Sequence, residues 1–465
     1  MSSMNIPIVS GLRALGPPPK RFLIYVAINV VSWQNIVGPA MILLARKIEM
    51  PESLVGLLLS FLPFTSLLLL FTLPLIVRVG PKRIMLWAWC LRNVIACLIF
   101  MLPLALASDN KVLAWIVLTV SILGFCIMRA IGAGGWLPWL HEIVPVPLRA
   151  TYFSTETSIT QLINVAVLFL QARLLAVDDP GISRFMLIFG IGIFMGFISL
   201  IWMKRVPGGA GMQEIDAHIG LRAYIRATRD RNFLAFLLIS TLAFSGIVWF
   251  HAVYVMYLRD ILVVRDSMTM SLTAIGSLGI LLTVSAWARF TESRGSGLAM
   301  AKTLFAHSCA PALILLAGMG LPGAFYITGF SVILACVFNA AFNVAVNRAM
   351  LNQVPDHDRI GYTALWTVST ALALGITPVA AGFLIEHYGM WGFRLCFLFS
   401  GFTTTLAGFL YLFVIHDRSL SGKTWLHLLN PVLPLRTAGR ILWITLGLHE
   451  SNRQVSSTDE PRPSS

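Results

Sequence analysis

Three asparagines, Asn339, Asn343 and Asn347, recur every fourth residue inside one apolar stretch, so a helix would stack them on one face. Amides facing hydrocarbon are costly, so they either line a polar cavity or hydrogen-bond to neighbouring helices. A second face of this kind holds Thr157, Gln161, Asn164 and Gln171. A third stretch supplies Asn29, Trp33, Gln34 and Asn35, and a fourth supplies Trp249, His251 and Tyr254. Each aromatic taken singly also serves as packing or as an interface anchor. His307 reads as a hydrogen-bonded helix histidine.

Ionisable groups in apolar stretches are expensive and are therefore functional candidates. Arg129 lies well inside one stretch and needs a counter-charge or several acceptors. Glu156, about one turn into the next stretch, is the only acid that enters one. Arg129 therefore either pairs with Glu156 or faces a wet cavity where an anionic group of a solute meets it. Arg92, about eight residues into its own stretch, is expected to snorkel toward the nearby aqueous surface.

Other chemistries find no support. His141-Glu142 is a single dipeptide without a second histidine at zinc spacing. No nucleophile or acid–base pair is set near an interface, so an enzyme is not expected, and no cofactor or metal is implied. A phosphate loop of the G-x-x-x-x-G-K-[ST] form is absent, which argues against ATP as the energy source. The six cysteines all fall inside apolar stretches and imply no disulfide framework.

These candidates must be positioned by helices in a membrane. The 465 residues are 57% hydrophobic and 12% charged, with mean hydropathy +0.81, about half the charged share of a soluble domain. One span takes about 20 apolar residues, and backbone groups in lipid must be satisfied within the segment, which makes helices the default. Twelve spans are expected near 22–45, 53–77, 84–107, 112–135, 152–177, 183–203, 233–258, 268–290, 298–319, 323–350, 361–385 and 392–415, with Pro63, Pro74 and Pro378 as kinks. Of the 34 lysines and arginines, 24 fall on the side of the termini and 8 opposite, which puts both termini in the cytoplasm. The net charge of +14 thus reports orientation and no nucleic-acid face.

Five segments follow: a cytoplasmic N-terminus (1–21), a six-helix bundle (22–203), a linker (204–232), a second six-helix bundle (233–415) and a cytoplasmic tail (416–465). The linker is expected to form a surface helix with Arg222, Arg226 and Arg229 on one face and Leu221, Tyr224 and Ile225 on another. In the tail, Trp425, Leu428, Leu429, Ile441, Leu442 and Trp443 interleave with Arg436 and Arg440 as interfacial helices before a disordered end.

The chain repeats itself. Val144-Pro145, Arg149 and Tyr152 recur at identical spacing as Val354-Pro355, Arg359 and Tyr362, 210 residues on. After the second and eighth spans come VRVGPKR and ESRGSG, with Gly80 and Gly295 215 residues apart. Two matches at nearly one offset make two parallel six-helix repeats around a central cavity, and Gly375, Pro378 and Gly382 of span eleven let helices approach and bend.

At these loops the chain resembles the major facilitator superfamily, over nearly its whole length. Of the family's G-x-L-x-D-R-x-G-x-[RK]-[RK] loop, Leu75, Arg78, Gly80, Lys82 and Arg83 match, while Val77 takes the acidic position. In the second copy Glu292 and Gly295 match and Ser293 replaces an arginine. The family's fourth-span R-x-x-x-G-x-G is met in part by Arg129, Gly134 and Gly135, and the WLPWLHEIVPVPLRATYF junction is similar to bacterial members. The resemblance implies an all-α polytopic membrane protein. It implies a secondary transporter that moves a small solute across the cytoplasmic membrane by alternating access, working as a monomer in the bilayer. Arg78, Gly80, Arg83, Arg149, Glu156, Glu292, Gly295 and Arg359 are then candidates for the cytoplasmic gate. Trp33, Gln34, Arg129, Gln161, Asn164, His251, Tyr254, Asn339, Asn343 and Asn347 are candidates for the solute site, with an anionic solute if Arg129 serves it. The absence of a mid-span acid favours a uniporter, an exchanger or a solute carrying its own proton, with His251 as the remaining titratable candidate. A transport-inactive scaffold or solute sensor of the same fold is the other reading, and a membrane-embedded enzyme a third.

Overall fold

The computed structural model describes residues 12–145, 148–177, 179–209, 228–318, 323–353 and 359–414. Most of the expected linker helix, the whole interfacial tail and Val354-Pro355 lie outside the described residues. Among those described there is no strand, and twelve helices are long and apolar enough to cross a membrane. They are α1 Pro17–Lys47, α2 Glu52–Thr72, α3 Pro81–Ala107, α4 Lys111–Leu140, α5 Thr151–Leu174, α6 Ile182–Lys204, α7 Arg231–Ile261, α8 Asp266–Arg294, α9 Ser296–Ala317, α10 Ala324–Met350, α11 Tyr362–Tyr388 and α12 Met390–Leu412.

Local chemistry sets their ends. Prolines open α1 and α3, where the missing N–H has no intrahelical partner to lose. The Asn110 side chain caps α4 through the Leu113 amide at 3.0 Å, and the Asp230 carboxylate caps α7 through the Asn232 and Phe233 amides. Breaks absent from the sequence reading interrupt α2 at Leu67-Leu68, α4 at Gly134-Gly135 and α1 at Gly38. Gly38 is extended and Pro39 restarts the helix, so α1 is two pieces, Pro17–Val37 and Pro39–Lys47. A Cβ on Gly38 would lie 2.1 Å from the Gln34 carbonyl oxygen. That carbonyl instead accepts from the Gln171 side chain of α5 at 3.3 Å, and the same amide donates to Asn35 Oδ1 at 3.0 Å. Asn35 and Gln171 therefore tie α5 to the break in α1.

The packing has a twofold logic. Within the first half α1 packs on α5 and α6, α3 on α4 and α6, and α2 on α4. Six helices on, α7 packs on α11 and α12, α9 on α10 and α12, and α8 on α10. The halves meet through α2 against α11 and α5 against α8, which the same rule exchanges. The repeated loops share backbone conformation as well: Gly80 has φ 92° and ψ 142°, and Gly295 has φ 89° and ψ 154°. Both values belong to the region glycine enters without strain. The repeated arginines Arg149 and Arg359 each open a helix, and Tyr152 and Tyr362 are both buried.

Burial separates the two ends. At the end opposite the start of α1 and the finish of α12, called here the far end, one apolar core runs through both halves, from Ile36–Val55 and Phe185–Ile193 to Phe250–Leu258 and Phe393–Phe397. At the near end each half keeps its own core, around Phe22, Trp89, Trp139 and Tyr152 in the first and Phe236, Trp287, Phe342 and Tyr411 in the second.

The α2–α11 crossing explains part of this asymmetry. A Cβ on Gly56 would sit 2.2 Å from the Pro378 oxygen, one on Gly382 2.2 Å from the Glu52 oxygen, and one on Gly375 2.5 Å from the Phe64 ring. Missing side chains thus let the two helices touch over the far half of α2, where Ser60 Oγ donates to the Gly375 carbonyl at 2.6 Å.

Candidate functional site

Polar contacts seal the far end. Arg46, last turn of α1, pairs with Glu52 at 2.8 Å and with Asp260 of α7 at 2.9 Å, and also donates to the Met50 carbonyl. Arg259 pairs with Asp266 at 3.9 Å and donates to the Leu43 carbonyl across the interface. Arg46–Glu52 and Arg259–Asp266 are the same pair in the two repeats, offset by 213 and 214 residues. Lys47 pairs with Asp179, and the Ser53 amide donates to Glu386 at 3.1 Å. Lys111 beside Glu49 holds that exposed carboxyl below its ordinary pKa by hydrogen bond and charge. None of these acids and bases was singled out from the sequence, although their common offset was there to be found. Because the helices extend beyond the expected spans, Glu52, Asp260, Asp266, Glu292 and Glu386 join Glu156 as acids within them, all near their ends.

The gate candidates at the near end are in a different condition. Arg78, Arg83 and Glu292 are exposed. Among the described residues the ion pairs all lie at the far end. Arg149 Nε reaches the Val144 carbonyl of its own half at 3.5 Å. Lys82 donates to the Val206 carbonyl at 2.5 Å and Glu142 accepts from the Gly209 amide at 2.7 Å, so the chain after α6 docks on its own half. The side chain of Arg359 lies outside the described residues.

The solute-site candidates sort into three groups. Asn339, Asn343 and Asn347 form one face of α10, half-buried for the first two and exposed for the third. Asn343 Nδ2 donates to both the Asn339 carbonyl and Asn339 Oδ1 at 2.8 Å, so these bonds stay within α10. On α5, Gln161 and Asn164 are half-buried, and Asn164 Oδ1 has no partner. In α1, Trp33 is half-buried with an unpartnered Nε1, and Gln34 is buried beside the helix break. Tyr254 is buried in the far-end core, its hydroxyl 3.3 Å from Thr273.

Arg129 is half-buried and forms no ion pair with Glu156 or any other described residue, so of its two expected roles the pairing is not seen. Two expectations need correction. Arg92 does not snorkel: it is wholly buried, donating to Asn29 Oδ1 at 2.9 Å and lying 4.7 Å from the Trp89 ring and 4.6 Å from the Phe125 ring. Both ring faces turn it inward, where a cation gains from the aromatic quadrupoles. His307 is not hydrogen-bonded: both ring nitrogens are buried without partners, and its ring lies 5.8 Å from that of His251, whose Nε2 is likewise unpartnered. An arginine with aromatics at i−3 and on a facing helix was the available signal for Arg92; nothing local marks His307.

Two cavities sit apart from these groups, one of about 560 Å³ beside Leu12, Lys20, Leu23 and Ile159, and one of about 420 Å³ between Arg173 of α5 and Ser267 and Ser271 of α8.

No sequence-family model matches the chain, and no curated protein matches it. Solved structures do. A bacterial homologue of the iron transporter ferroportin in its inward-facing state aligns with TM-score 0.68 at 14% identity, over 86% of this chain and 99% of that one. A bacterial homologue of ferroportin in an outward-facing state aligns with TM-score 0.59 at 15% identity, over 85% and 99%. The nucleoside transporter NupG gives 0.62 at 13% identity over 86% and 100%. A bacterial homologue of the human lysosomal transporter Spinster, inward-facing and unoccupied, gives 0.63 at 13% over 85% and 96%. At these identities the likeness is one of fold, and the chain shares the twelve-helix fold of these solved transporters.

Proposed function

We propose that this protein is a secondary transporter that carries a small polar solute across the cytoplasmic membrane by rocking one six-helix half against the other. The observation that carries the reading is the asymmetry of the core: one core shared by both halves at the far end, two separate cores at the near end. A pair of rigid halves hinged this way exposes the face between them to one side only. The excess of lysine and arginine makes the near end cytoplasmic, so the form described faces inward. The higher likeness to the inward-facing ferroportin homologue than to the outward-facing one supports the same assignment.

In this reading the Asn339–Asn347 face, Gln161, Asn164 and Arg129 offer the solute its hydrogen bonds, while Arg78, Arg83, Arg149, Glu156, Glu292 and Arg359 draw together when the near end closes. The positive-φ glycines Gly80 and Gly295 hold the repeated loops at equivalent places for that closure. Reporter domains fused after residue 414 test the orientation: activity confined to the cytoplasm supports it, and activity confined to the other side removes it. Saturable uptake into proteoliposomes tests transport itself, and its absence for every solute class would favour a transport-inactive sensor of the same fold.

A further inference from the structure

Arg92 and Arg129 flank one ring. Arg92 lies 4.6 Å from the Phe125 ring, and Arg129 follows Phe125 by one helical turn on the same face of α4. A guanidinium keeps its charge at any accessible pH, and a buried charge left uncompensated is strongly destabilising. Arg92 is compensated only in part. It has Asn29 Oδ1 and two ring faces, but its Nε and Nη1 have no partner and no carboxylate pairs with it. Arg129 is a like charge within its reach and adds repulsion.

Tyr25 of α1, buried, lies one helical turn before Asn29, the acceptor of Arg92, on the same face, and within electrostatic reach of Arg92, Arg129 and Glu156. Tyr152, also buried, has an unpartnered hydroxyl and lies within reach of Glu156 and Tyr25. Two fixed cations, one carboxylate and unused donors leave the cluster short of negative charge. Arg129 is its half-buried member and hence its way in.

We propose that Arg129, Arg92 and Tyr25 form a binding site for an oxyanion, a carboxylate or a phosphate, borne by the transported solute. Arg129 contacts the oxyanion directly, and Arg92 supplies the second positive charge behind it. Calling the ligand a transported solute rests on the transporter reading; the site does not. The opposing account makes Arg92 a structural tie between α3 and α1 through Asn29, which also accepts from Trp89 at 3.0 Å. The two accounts differ in the sign of a stability change. A structural tie loses stability when neutralised, whereas a charge awaiting a ligand gains it.

The test uses the full chain in detergent, with thermal unfolding followed against sodium acetate or sodium phosphate, and sodium chloride at matched ionic strength as control. The wild type is expected to be stabilised saturably by at least one oxyanion beyond chloride. Arg129→Gln should abolish that shift. Arg92→Gln should weaken the apparent affinity at least tenfold while raising the ligand-free melting temperature. A response to acetate alone marks a carboxylate and a response to phosphate a phosphoryl group. No response beyond chloride, or an Arg92→Gln protein that melts lower and keeps the full shift, overturns the proposal. An oxyanion shift without uptake in proteoliposomes would defeat the transporter reading and keep the site; uptake without a shift would do the reverse.

Discussion

Replacing Asp260 by alanine isolates the bond that closes the far end. Arg46 Nε meets Asp260 Oδ2 at 2.9 Å, with the two side chains 17% and 23% exposed. A hydrogen bond between charged groups contributes about 1.5–3 kcal/mol, and solvent screening at this exposure reduces that to about 1–2 kcal/mol. Arg46 is not stranded by the change, because Glu52 at 2.8 Å and the Met50 carbonyl at 2.8 Å remain. The whole loss therefore falls on the state in which the far ends touch, and the ratio of far-closed to far-open molecules should drop about 5–30-fold. Spin labels at Val112 of α4 and Tyr388 of α11, both exposed near the far end, would read the ratio as a distance distribution in a background with the native cysteines replaced. Asp179→Ala is the control, since Lys47–Asp179 has the same chemistry within one half. An unchanged distribution in Asp260→Ala, or an equal shift in Asp179→Ala, would refute the assignment of this pair to the closure.

Three other substitutions probe separate parts of the account. Gly56→Val drives a side chain into the Pro378 oxygen, 2.2 Å from the Cβ position, and should shift the same distance distribution toward far-open forms without unfolding either half; an unchanged distribution would contradict the close α2–α11 crossing. Asn343→Leu breaks bonds only to Asn339, so it should cost about 1 kcal/mol of stability at most while abolishing uptake. A steep fall in melting temperature with transport intact would make these asparagines packing residues. His307→Phe removes two buried nitrogens without partners and should raise the melting temperature; a fall would mean that a bound water or proton satisfies the ring.

Span number, span positions and the two-repeat plan were legible because each rests on a signal that lipid enforces: unbroken apolar length, charge bias, and loop glycines held at positive φ. Expected and observed ends differ by about five residues at most, as at Pro17 and Leu140. The break at Gly38-Pro39 was missed because Pro39 sits in an otherwise apolar run, and the partner that satisfies the freed carbonyl, Gln171, is 137 residues away. Arg92 was misjudged for the same reason: its depth from the helix end suggested an aqueous escape, but Phe125 and Asn29 arrive from other helices to hold it inside. Polar residues such as Asn343 announced a polar face, and only tertiary structure distinguishes a face bonded within its own helix from one bonded across helices, as at Asn35 and Gln171.

Transport itself is the central claim, and one measurement addresses it directly. Proteoliposomes holding the wild-type chain, and matched vesicles holding Arg129→Lys, would be incubated with a mixture of small carboxylates, phosphates and neutral polar solutes, and their contents identified by mass spectrometry. The account expects at least one anionic solute to accumulate saturably with the wild type and to be lost with Arg129→Lys, because a point charge cannot reproduce a planar bidentate contact. Accumulation of no solute by folded, correctly inserted wild-type protein would contradict it.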